Sequence, residues 1–262
     1  MIRHTTPITL RCEVDADGIG IMTIARPQRR NALDSATMEQ MAATIESLAQ
    51  DDAVRVMIVT GEGHDAFCSG GDLEDLSRRL SAEDATQMIG LMGDALLALE
   101  RLPFPVIAAI NGYALGGGSE LALACDVRVV DQTARLGFIH LRRGLIPGWG
   151  GGQRLLRLVG YARAFELLMR AQPLDADELV KLCLAMTVTP PGEALDGALA
   201  LARRIITLDR AAVAAAKQML QAGLNLPYEA ALARERALFP ALWTGETHLA
   251  AMRAFAEREN GS

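Results

Sequence analysis

The sequence predicts an α/β fold with a C-terminal helical region. Short apolar runs with strand-like patterns alternate with helical patterns in the earlier part of the chain, and helical patterns alone dominate after Tyr161. Of the 262 residues, 50% are hydrophobic, which is enough to bury a large core. We therefore predict an α/β core over residues 1–200 and a helical region over residues 201–262.

The first predicted elements are two strands and a helix. Alternating apolar residues predict strands at Ile8–Val14 and Ile19–Arg26, separated by a turn-forming cluster of aspartates and glycine. Methionine, isoleucine and leucine at helical spacing predict a buried face on a helix over Ser35–Gln50. Asp34, or Ser35 itself, is the expected cap of that helix.

The middle of the chain alternates buried strands with glycine-rich turns. The β-branched run Val54–Thr60 predicts a buried strand, and Phe67–Asp72 predicts a glycine turn followed by a polar, exposed helix to about Arg101. A second buried strand is predicted at Pro105–Ile110. This strand leads directly into the glycine-rich segment Asn111–Asp126.

Two further strands and a second glycine-rich loop follow. Short strands are predicted at Val127–Val130 and Ala134–Phe138, and the loop 144–152 leads into a helix over Gln153–Val159. The rest of the chain is predicted to be helical, apart from a short strand at Ala185–Thr189.

Composition excludes several classes of function. The net charge of −6 and the lack of a concentrated basic stripe argue against a nucleic-acid partner. No apolar run reaches the roughly 18 residues of a membrane span, so no membrane partner is expected. The 4 cysteines have no Cys-x-x-Cys spacing and indicate reduced thiols, which predicts a cytoplasmic protein. The histidines lack zinc-site spacing and the common nucleotide-binding motifs are missing, so we expect no metal and no prosthetic group.

The segment Asn111–Asp126 points to a reaction class. Its three glycines, Gly116, Gly117 and Gly118, directly precede an apolar helical pattern with Glu120 in the first turn. Glycines leave backbone N–H groups unshielded, and a helix start adds unpaired donors and partial positive charge. This combination suits a developing oxyanion, with Glu120 nearby to move a proton.

Together with the surrounding residues, these segments resemble the crotonase (enoyl-CoA hydratase/isomerase) superfamily. The resemblance runs in order over almost the whole chain. The matching motifs are Arg26-Pro-x3-Asn31-Ala-Leu, Ala66-Phe-Cys-Ser-Gly-Gly-Asp72-Leu, the run from Pro105 to Asp126, Gly144-Leu-Ile-Pro-Gly, Gln153-Arg154-Leu, Leu158-Val-Gly160 and Met252-Arg-Ala-Phe255.

The resemblance implies both a fold and a ligand. It implies a crotonase-like spiral of repeated ββα units, a C-terminal helical trimerisation region, and a homotrimer or a dimer of trimers. The expected ligand is an acyl-CoA thioester of fatty acid metabolism, so that coenzyme A enters only as part of the substrate. The backbone N–H groups of Gly71 and Gly117 would hold the thioester oxygen as it becomes an enolate.

The resemblance also assigns residues to the coenzyme A moiety. By this assignment, Gln28, Arg29 and Arg30 line the coenzyme A entrance, where the two arginines could pair with phosphate. Ser69 and Leu73, with Gly71, would form the adenine pocket.

Two positions depart from the family pattern. Glu120 matches one of the two glutamates that hydratases of this family place around the attacking water, whereas His140 stands where the second is expected. Histidine exchanges protons near neutral pH, so Glu120 and His140 form a workable acid/base pair. Trp149 stands where relatives commonly carry a small residue, and its indole should shorten or reshape the acyl pocket or stack on a flat acyl group.

The sequence therefore predicts an enoyl-CoA hydratase. Alternatives are a double-bond isomerase that uses Glu120 alone, with a decarboxylase or hydrolase ranked lower, and a non-catalytic acyl-CoA-binding protein. Each site residue also has a plainer interpretation. Glu120 would complement the helix dipole, His140 and Trp149 would pack in the core, Arg29 and Arg30 would be solvated, and Gly71 and Gly117 would only form turns.

Overall fold

A computed structural model describes residues 8–260, with side chains up to Arg258. The chain divides into two compact units, one ending at Arg203 and the other beginning at Arg204. The predicted roles of residues 1–200 and 201–262 stay predictions.

The first unit holds the strands, and helices are found in both units. The strands are β1 (Leu10–Val14), β2 (Ile19–Ile24), β3 (Val56–Gly61), β4 (Ala66–Cys68), β5 (Val106–Ile110), β6 (Tyr113–Leu115), β7 (Val127–Asp131), β8 (Arg135–Gly137) and β9 (Thr187–Thr189). The helices are α1 (Ser35–Leu48), α2 (Leu73–Leu76), α3 (Ala82–Glu100), α4 (Gly117–Ala124), α5 (Gly151–Val159), α6 (Tyr161–Arg170), α7 (Ala176–Lys181), α8 (Ala194–Ile205), α9 (Arg210–Asn225), α10 (Tyr228–Trp243) and α11 (Glu246–Asn260).

The strands form two sheets, and the chain alternates between them. The larger sheet has 6 strands in the order β1-β2-β3-β5-β7-β9, and the smaller has 3 in the order β4-β6-β8. Apart from the antiparallel β1–β2 hairpin, all neighbouring strands are parallel. Strands β3, β5 and β7 are each followed by a strand of the smaller sheet, so the chain repeats one ββ step and then returns. The predicted α/β class is confirmed.

Glycines allow the chain to cross closely from one sheet to the other. A methyl group at Gly61, the last residue of β3, would lie within 3.0 Å of the carbonyl oxygens of Ala66 and Phe67 at the start of β4. A methyl group at Gly112, between β5 and β6, would lie equally close to the backbone of Asp65. Real Cβ atoms do not come this close, so the two sheets approach each other only because these residues are glycine.

Helix α1 covers the core as predicted. Its inward face is formed by Met38, Met41, Ile45 and Leu48, all buried. The Asp34 side chain caps the helix by accepting a hydrogen bond of 2.9 Å from the Thr37 amide. Both the helix and its first proposed cap are confirmed.

The predicted polar, exposed helix from the Phe67–Asp72 turn to Arg101 is wrong in two respects. The segment forms two helices, α2 and α3, because Ser81 and Asp84 make a reciprocal capping box that starts a new helix. One face of α3 is also buried, since Met92, Leu96 and Leu99 join the core. Strands β4 and β6 lie within segments for which no strand was predicted.

The second unit is helical. Its helices are α9, α10 and α11, and α9 packs along α10. Asp209 caps α9 through the Ala212 amide at 2.9 Å and accepts a hydrogen bond of 2.6 Å from the hydroxyl of Thr247 near the start of α11. Several large apolar side chains of this unit are exposed, among them Phe239, Trp243 and Phe255. Across both units, no helix within residues 8–260 is long and apolar enough to cross a membrane.

Candidate active site

The glycine turn before α4 is shaped by close contacts with β4. Gly116, with φ 55°, follows the last residue of β6, and α4 begins at Gly117. A methyl group at Gly118 would lie within 3.0 Å of the carbonyl oxygen of Cys68, the last residue of β4. The first turn of α4 therefore lies directly against the end of β4, which only glycine permits.

The two predicted oxyanion donors belong to turns that lie against each other. Gly70 has φ 93°, and a methyl group on it would be 3.0 Å from the backbone nitrogen of Gly117. Leu33 bridges across Gly71: its amide donates to the Gly70 carbonyl, and its own carbonyl accepts from the Asp72 amide, both at 2.8 Å. This pairing leaves the N–H group of Gly71 unused.

Both donors are available for an outside acceptor. Within residues 8–260, neither Gly71 nor Gly117 donates a backbone–backbone hydrogen bond in the turns and loops. Gly117 is the first residue of α4, where an N–H group has no intrahelical partner. Both N–H groups can therefore donate to a ligand, and their joint assignment to one oxygen atom as an oxyanion hole stays a prediction.

Glu120 is buried in the first turn of α4 and accepts four hydrogen bonds. Its side chain is only 2% exposed. Oε2 accepts from the amides of Trp149 at 2.7 Å and Gly151 at 2.8 Å, whereas Oε1 accepts from the Gly148 amide at 3.2 Å and from His140 Nε2 at 3.0 Å. A carboxylate has about four acceptor positions, so the protein fills them all.

His140 lies beside Glu120 at the start of a 3-10 turn, His140–Arg143. Its side chain is 11% exposed, and its Nδ1 atom is buried with no hydrogen-bond partner among the described residues. Because an ionised carboxylate can only accept, the Nε2 atom of His140 is the donor in its bond to Glu120.

The Trp149 indole fills the space next to Gly117. A methyl group at Gly117 would lie within 3.0 Å of three carbons of the indole ring, and Trp149 is only 4% exposed. The indole Nε1–H donates to the sulfur of Met88 in α3 at 3.1 Å. Because its own amide also binds Glu120, Trp149 contacts both the predicted oxyanion turn and the predicted acid/base group.

An ion pair fixes the loop that carries Trp149. Arg154 Nη1 donates to the Trp149 carbonyl at 2.8 Å, and Arg154 Nε donates to Glu100 Oε2 at 2.8 Å. Side chains of this pair are 11% and 22% exposed, respectively, so solvent screens it only partly. The loop between the 3-10 turn and α5 is thereby anchored to the end of α3.

The residues predicted to bind coenzyme A lie on adjacent segments, and most of them are exposed. Gln28, Arg29 and Arg30 are all exposed, and the Ser69 amide donates to the Arg30 carbonyl at 3.1 Å. Leu73 is 53% exposed and follows this contact at the start of α2.

Arg29 already has a partner in this region. Its Nη2 atom lies 2.6 Å from Glu74 Oε2, and both side chains are about half exposed. The structure thus brings the predicted entrance residues together, and their role toward coenzyme A stays a prediction.

A buried arginine cluster next to the site was missed by the sequence reasoning. Arg26 is 9% exposed and its Nη2 atom lies 2.7 Å from Asp34 Oδ2 and 2.9 Å from Asp72 Oδ2. Burial alone would raise the pKa of Asp72, but hydrogen bonds from Arg26 and from the amides of Glu74 and Asp75, with the Arg26 charge, hold the pKa below its usual range. Arg26 thereby joins the caps of α1 and α2 on either side of the Gly71 turn.

Two buried asparagines fix the backbone around the same turns. Asn31, with φ 53°, donates to the carbonyls of Glu62 and Ala66 at 3.0 and 2.6 Å. Asn111 donates to the carbonyls of Gly61 and Gly63 at 2.8 and 2.6 Å. Both asparagines stand inside family motifs, so the sequence marked their positions. Their structural role is visible only from contacts between residues distant in the chain.

The buried cysteines are not reactive groups. Cys68 and Cys125 are buried, and all 4 cysteines are free. Burial raises the pKa of the Cys68 thiol to about 12, against the smaller opposing effects of the Gly70 amide and Arg26. Within residues 8–260 no group of histidine, cysteine or acidic side chains could hold a metal ion.

Comparison with known proteins matches this geometry to one family. The family model for enoyl-CoA hydratase/isomerase matches residues 15–261. The chain is 36% identical over 241 residues to the short-chain-enoyl-CoA hydratase of Clostridium acetobutylicum, covering 92% of each chain. It is 35% identical over 238 residues to the ethylmalonyl-CoA decarboxylase of Gallus gallus, covering 90% of this chain and 80% of that one.

The same likeness extends to solved structures. The crystal structure of an enoyl-CoA hydratase from Bacillus anthracis superposes with a TM-score of 0.90 at 31% identity, covering 96% of this chain and 97% of that chain. An enoyl-CoA hydratase from Mycobacterium smegmatis gives a TM-score of 0.90 at 30% identity. The resemblance inferred from the motifs is confirmed: the chain belongs to the enoyl-CoA hydratase/isomerase family, within the crotonase superfamily.

Proposed function

We propose that the protein is an enoyl-CoA hydratase that adds water to a trans-2-enoyl-CoA thioester. The observation that carries the proposal is the buried Glu120 carboxylate, held one helical turn from the unused N–H group of Gly117. The curated relative named above as a hydratase covers almost the whole chain and supports this reaction class. Coenzyme A is part of the substrate, and no prosthetic group takes part.

In the proposed reaction, two backbone amides stabilise negative charge on the substrate. When water oxygen forms a bond to the β-carbon, the electrons of the double bond move toward the thioester and its oxygen becomes an enolate. The N–H groups of Gly71 and Gly117 donate to that oxygen. One such donor is worth about 3 kcal/mol in a site that excludes water.

Glu120 exchanges the protons of the reaction, and His140 positions the water. Three of the four donors to the Glu120 carboxylate are backbone amides in an anchored loop, whereas His140 is a side chain that can rotate. Water therefore enters at Oε1 between Glu120 and His140 Nε2. Glu120 takes a proton from the attacking water and then delivers a proton to the α-carbon. The second transfer converts the enolate back to a thioester and returns Glu120 to its carboxylate form.

Isomerisation of the double bond is the second candidate. It is favoured by His140, because among the described partners of Glu120 there is no second carboxylate to hold a water. In that reaction Glu120 removes a proton from one carbon of the enoyl group and returns it to another, through the same enolate. No water is consumed.

The finer properties expected from the family are part of the same proposal. Gln28, Arg29, Arg30, Ser69 and Leu73 contact the coenzyme A moiety, which is supported by the adjacency of their segments and the exposure of all but Ser69. We further propose that the protein acts in the cytoplasm in fatty acid metabolism, as a homotrimer or a dimer of trimers. The exposed apolar side chains of the helical second unit support an assembly.

The test is a mass analysis of products from 2-enoyl-CoA and 3-enoyl-CoA panels. Hydration gives a product heavier by one water, and isomerisation gives a shifted double bond at unchanged mass. Tight binding of acyl-CoA without turnover of any member would contradict both and identify a binding protein.

The Glu120→Gln variant tests the site. We expect a loss of about 100-fold to 10,000-fold in kcat, because the amide cannot exchange protons. The variant's circular dichroism and thermal unfolding should be compared with the wild type, since the amide also places two N–H groups among four donors. Full activity in a folded variant would show that the acid/base assignment is wrong.

A further inference from the structure

The reacting carbons of the proposed substrate have little room in this site. The thioester oxygen must lie about 3 Å from the N–H groups of Gly71 and Gly117. The α-carbon must at the same time lie within reach of the Glu120 carboxylate. The acyl group therefore leaves the thioester in the space between the first turn of α4 and the loop that holds Glu120.

Trp149 borders this space with its ring, which lies beside Gly117, and with its amide, which binds Glu120. Its indole lies so close to Gly117 that a methyl group there would approach three ring carbons within 3.0 Å. Its amide binds Glu120 Oε2 at 2.7 Å. No methylene group fits between the ring and Gly117, so an acyl group directed toward this gap ends at the indole or displaces it.

Displacing the indole would break several contacts at once. The ring is 4% exposed, and its Nε1–H donates to Met88 on α3. The backbone of Trp149 is held by Glu120 at the amide and by Arg154 at the carbonyl. Because its indole nitrogen, its amide and its carbonyl are all hydrogen-bonded, Trp149 is held firmly in this position.

We propose that Trp149 closes the acyl pocket a few carbons beyond the thioester and restricts the enzyme to short-chain enoyl-CoA substrates of crotonyl size. Met88 is a positioning residue that keeps the indole in place. This inference rests on the function proposed above and adds the substrate class to it.

Chain-length profiles of four proteins test whether Trp149 closes the acyl pocket. For the wild type, kcat/KM should fall by at least about tenfold from crotonyl-CoA to decenoyl-CoA, since even one misplaced methylene in a tight pocket costs about tenfold or more. Trp149→Ala should reduce the ratio of kcat/KM for crotonyl-CoA to that for decenoyl-CoA by about tenfold or more. The ratio for Trp149→Phe should lie between those of the wild type and Trp149→Ala. Trp243→Phe changes the chain's other tryptophan, in the second unit, and should keep the wild-type profile.

The outcomes separate this inference from the proposed function. If the wild type turns over no enoyl-CoA, the function fails. If it is active but decenoyl-CoA or the flat cinnamoyl-CoA is used as well as crotonyl-CoA, only the short-chain inference fails. It also fails if folded Trp149→Ala and Trp149→Phe variants keep the wild-type ratio.

A binding measurement covers the case in which the Trp149 variants do not fold. In the Trp243→Phe protein, Trp149 is the one remaining tryptophan, so fluorescence reports on its ring alone. Unreactive butyryl-CoA should change that emission, and free coenzyme A should leave it unchanged. Butyryl-CoA should also bind more tightly than decanoyl-CoA. An emission unaffected by bound butyryl-CoA, or tighter binding of decanoyl-CoA, would overturn the inference.

Discussion

The reacting end of the site and the predicted coenzyme A entrance are held by different kinds of contact. At the reacting end, the Glu120 side chain is 2% exposed and every acceptor position of its carboxylate is filled by the protein. At the entrance, Arg29 and Glu74 form an ion pair in which both side chains are about half exposed. Buried hydrogen bonds are costly to break, whereas exposed ion pairs contribute little. The first region is thus built for fixed geometry and the second for adaptable contact.

The largest effect is expected where this fixed geometry is most crowded. Gly117→Ala would place a methyl group against the Trp149 indole and should lower kcat by about 100-fold or more, because the oxyanion donor must shift. The overpacking should also lower the free energy of unfolding by about 1–3 kcal/mol. Enzyme assays and urea unfolding measure the two effects.

A matched control for Gly117→Ala lies on α3. A methyl group at Gly90 meets nothing within 4 Å, so Gly90→Ala should stabilise the helix by roughly 0.5–1 kcal/mol and keep full activity. If Gly117→Ala behaved like Gly90→Ala, the close contact between Gly117 and the indole would be absent in solution.

The next effect concerns His140, which among the described residues is the one side-chain donor to Glu120. Glutamine can place an N–H group near the position of His140 Nε2, whereas alanine cannot. We expect His140→Gln to keep kcat within about tenfold of the wild type and His140→Ala to lose about 100-fold, since His140 serves as a hydrogen-bond donor. Steady-state hydration assays measure both. Equal losses in the two variants would show that the imidazole itself exchanges protons.

The Arg26 cluster is more exposed than Glu120 and less exposed than the Arg29–Glu74 pair. Its loss should have a moderate, pH-dependent effect on the free energy of unfolding. Because the pKa of Asp72 is lowered in the folded protein, its charge stabilises the fold above the unfolded pKa. That contribution is lost as pH falls through the folded pKa. Asp72→Asn should cost about 1–3 kcal/mol of unfolding free energy at neutral pH.

Urea unfolding across pH checks the Asp72 prediction. The difference between wild type and Asp72→Asn should shrink below about pH 4, where the ordinary aspartate pKa lies. Asp94→Asn, at an exposed position of α3, serves as the control. A difference that stays constant down to pH 2 would contradict the charge-based explanation.

The smallest effect is expected at the entrance. Arg29→Ala should change the unfolding free energy by less than about 1 kcal/mol, because its ion pair with Glu74 is exposed. It should raise KM for acyl-CoA by about threefold at low salt and less at high salt. Arg78→Ala is the matched control, since Arg78 pairs with the same glutamate at 3.2 Å. An equal rise in KM for both variants would indicate a general charge effect.

Local sequence patterns predicted much of the fold. The methionine and leucine spacing of α1, its Asp34 cap and the buried strand β5 follow from residues near each other in the chain. Boundaries were less accurate: the strand predicted at Ala185–Thr189 is only Thr187–Thr189. The break between α2 and α3 depends on the Ser81 cap, a local signal that competes with continuous helical patterning.

The candidate site was predictable in its residues but not in its contacts. Glu120, His140 and Trp149 were identified by their positions in motifs, and the structure brings all three together. The amides of Gly148 and Gly151 were missed, because a glycine run in the sequence does not reveal which carboxylate its N–H groups will bind. Arg26 was missed for the same reason, since both of its aspartate partners are reached only after folding.

The double attachment of Trp149 limits how this enzyme could be re-engineered or could diverge. Its amide donates to Glu120, the proposed acid/base group, and its ring lies against Gly117, where we propose that the acyl pocket ends. Grafting the loop 144–152 from a relative would exchange both properties in a single step, so a new substrate range would arrive together with a disturbed proton-transfer group. Point substitution at the Trp149 side chain changes the ring and keeps the amide. Selectivity is therefore open to gradual change by single mutations, whereas whole-loop exchange is expected to yield inactive intermediates.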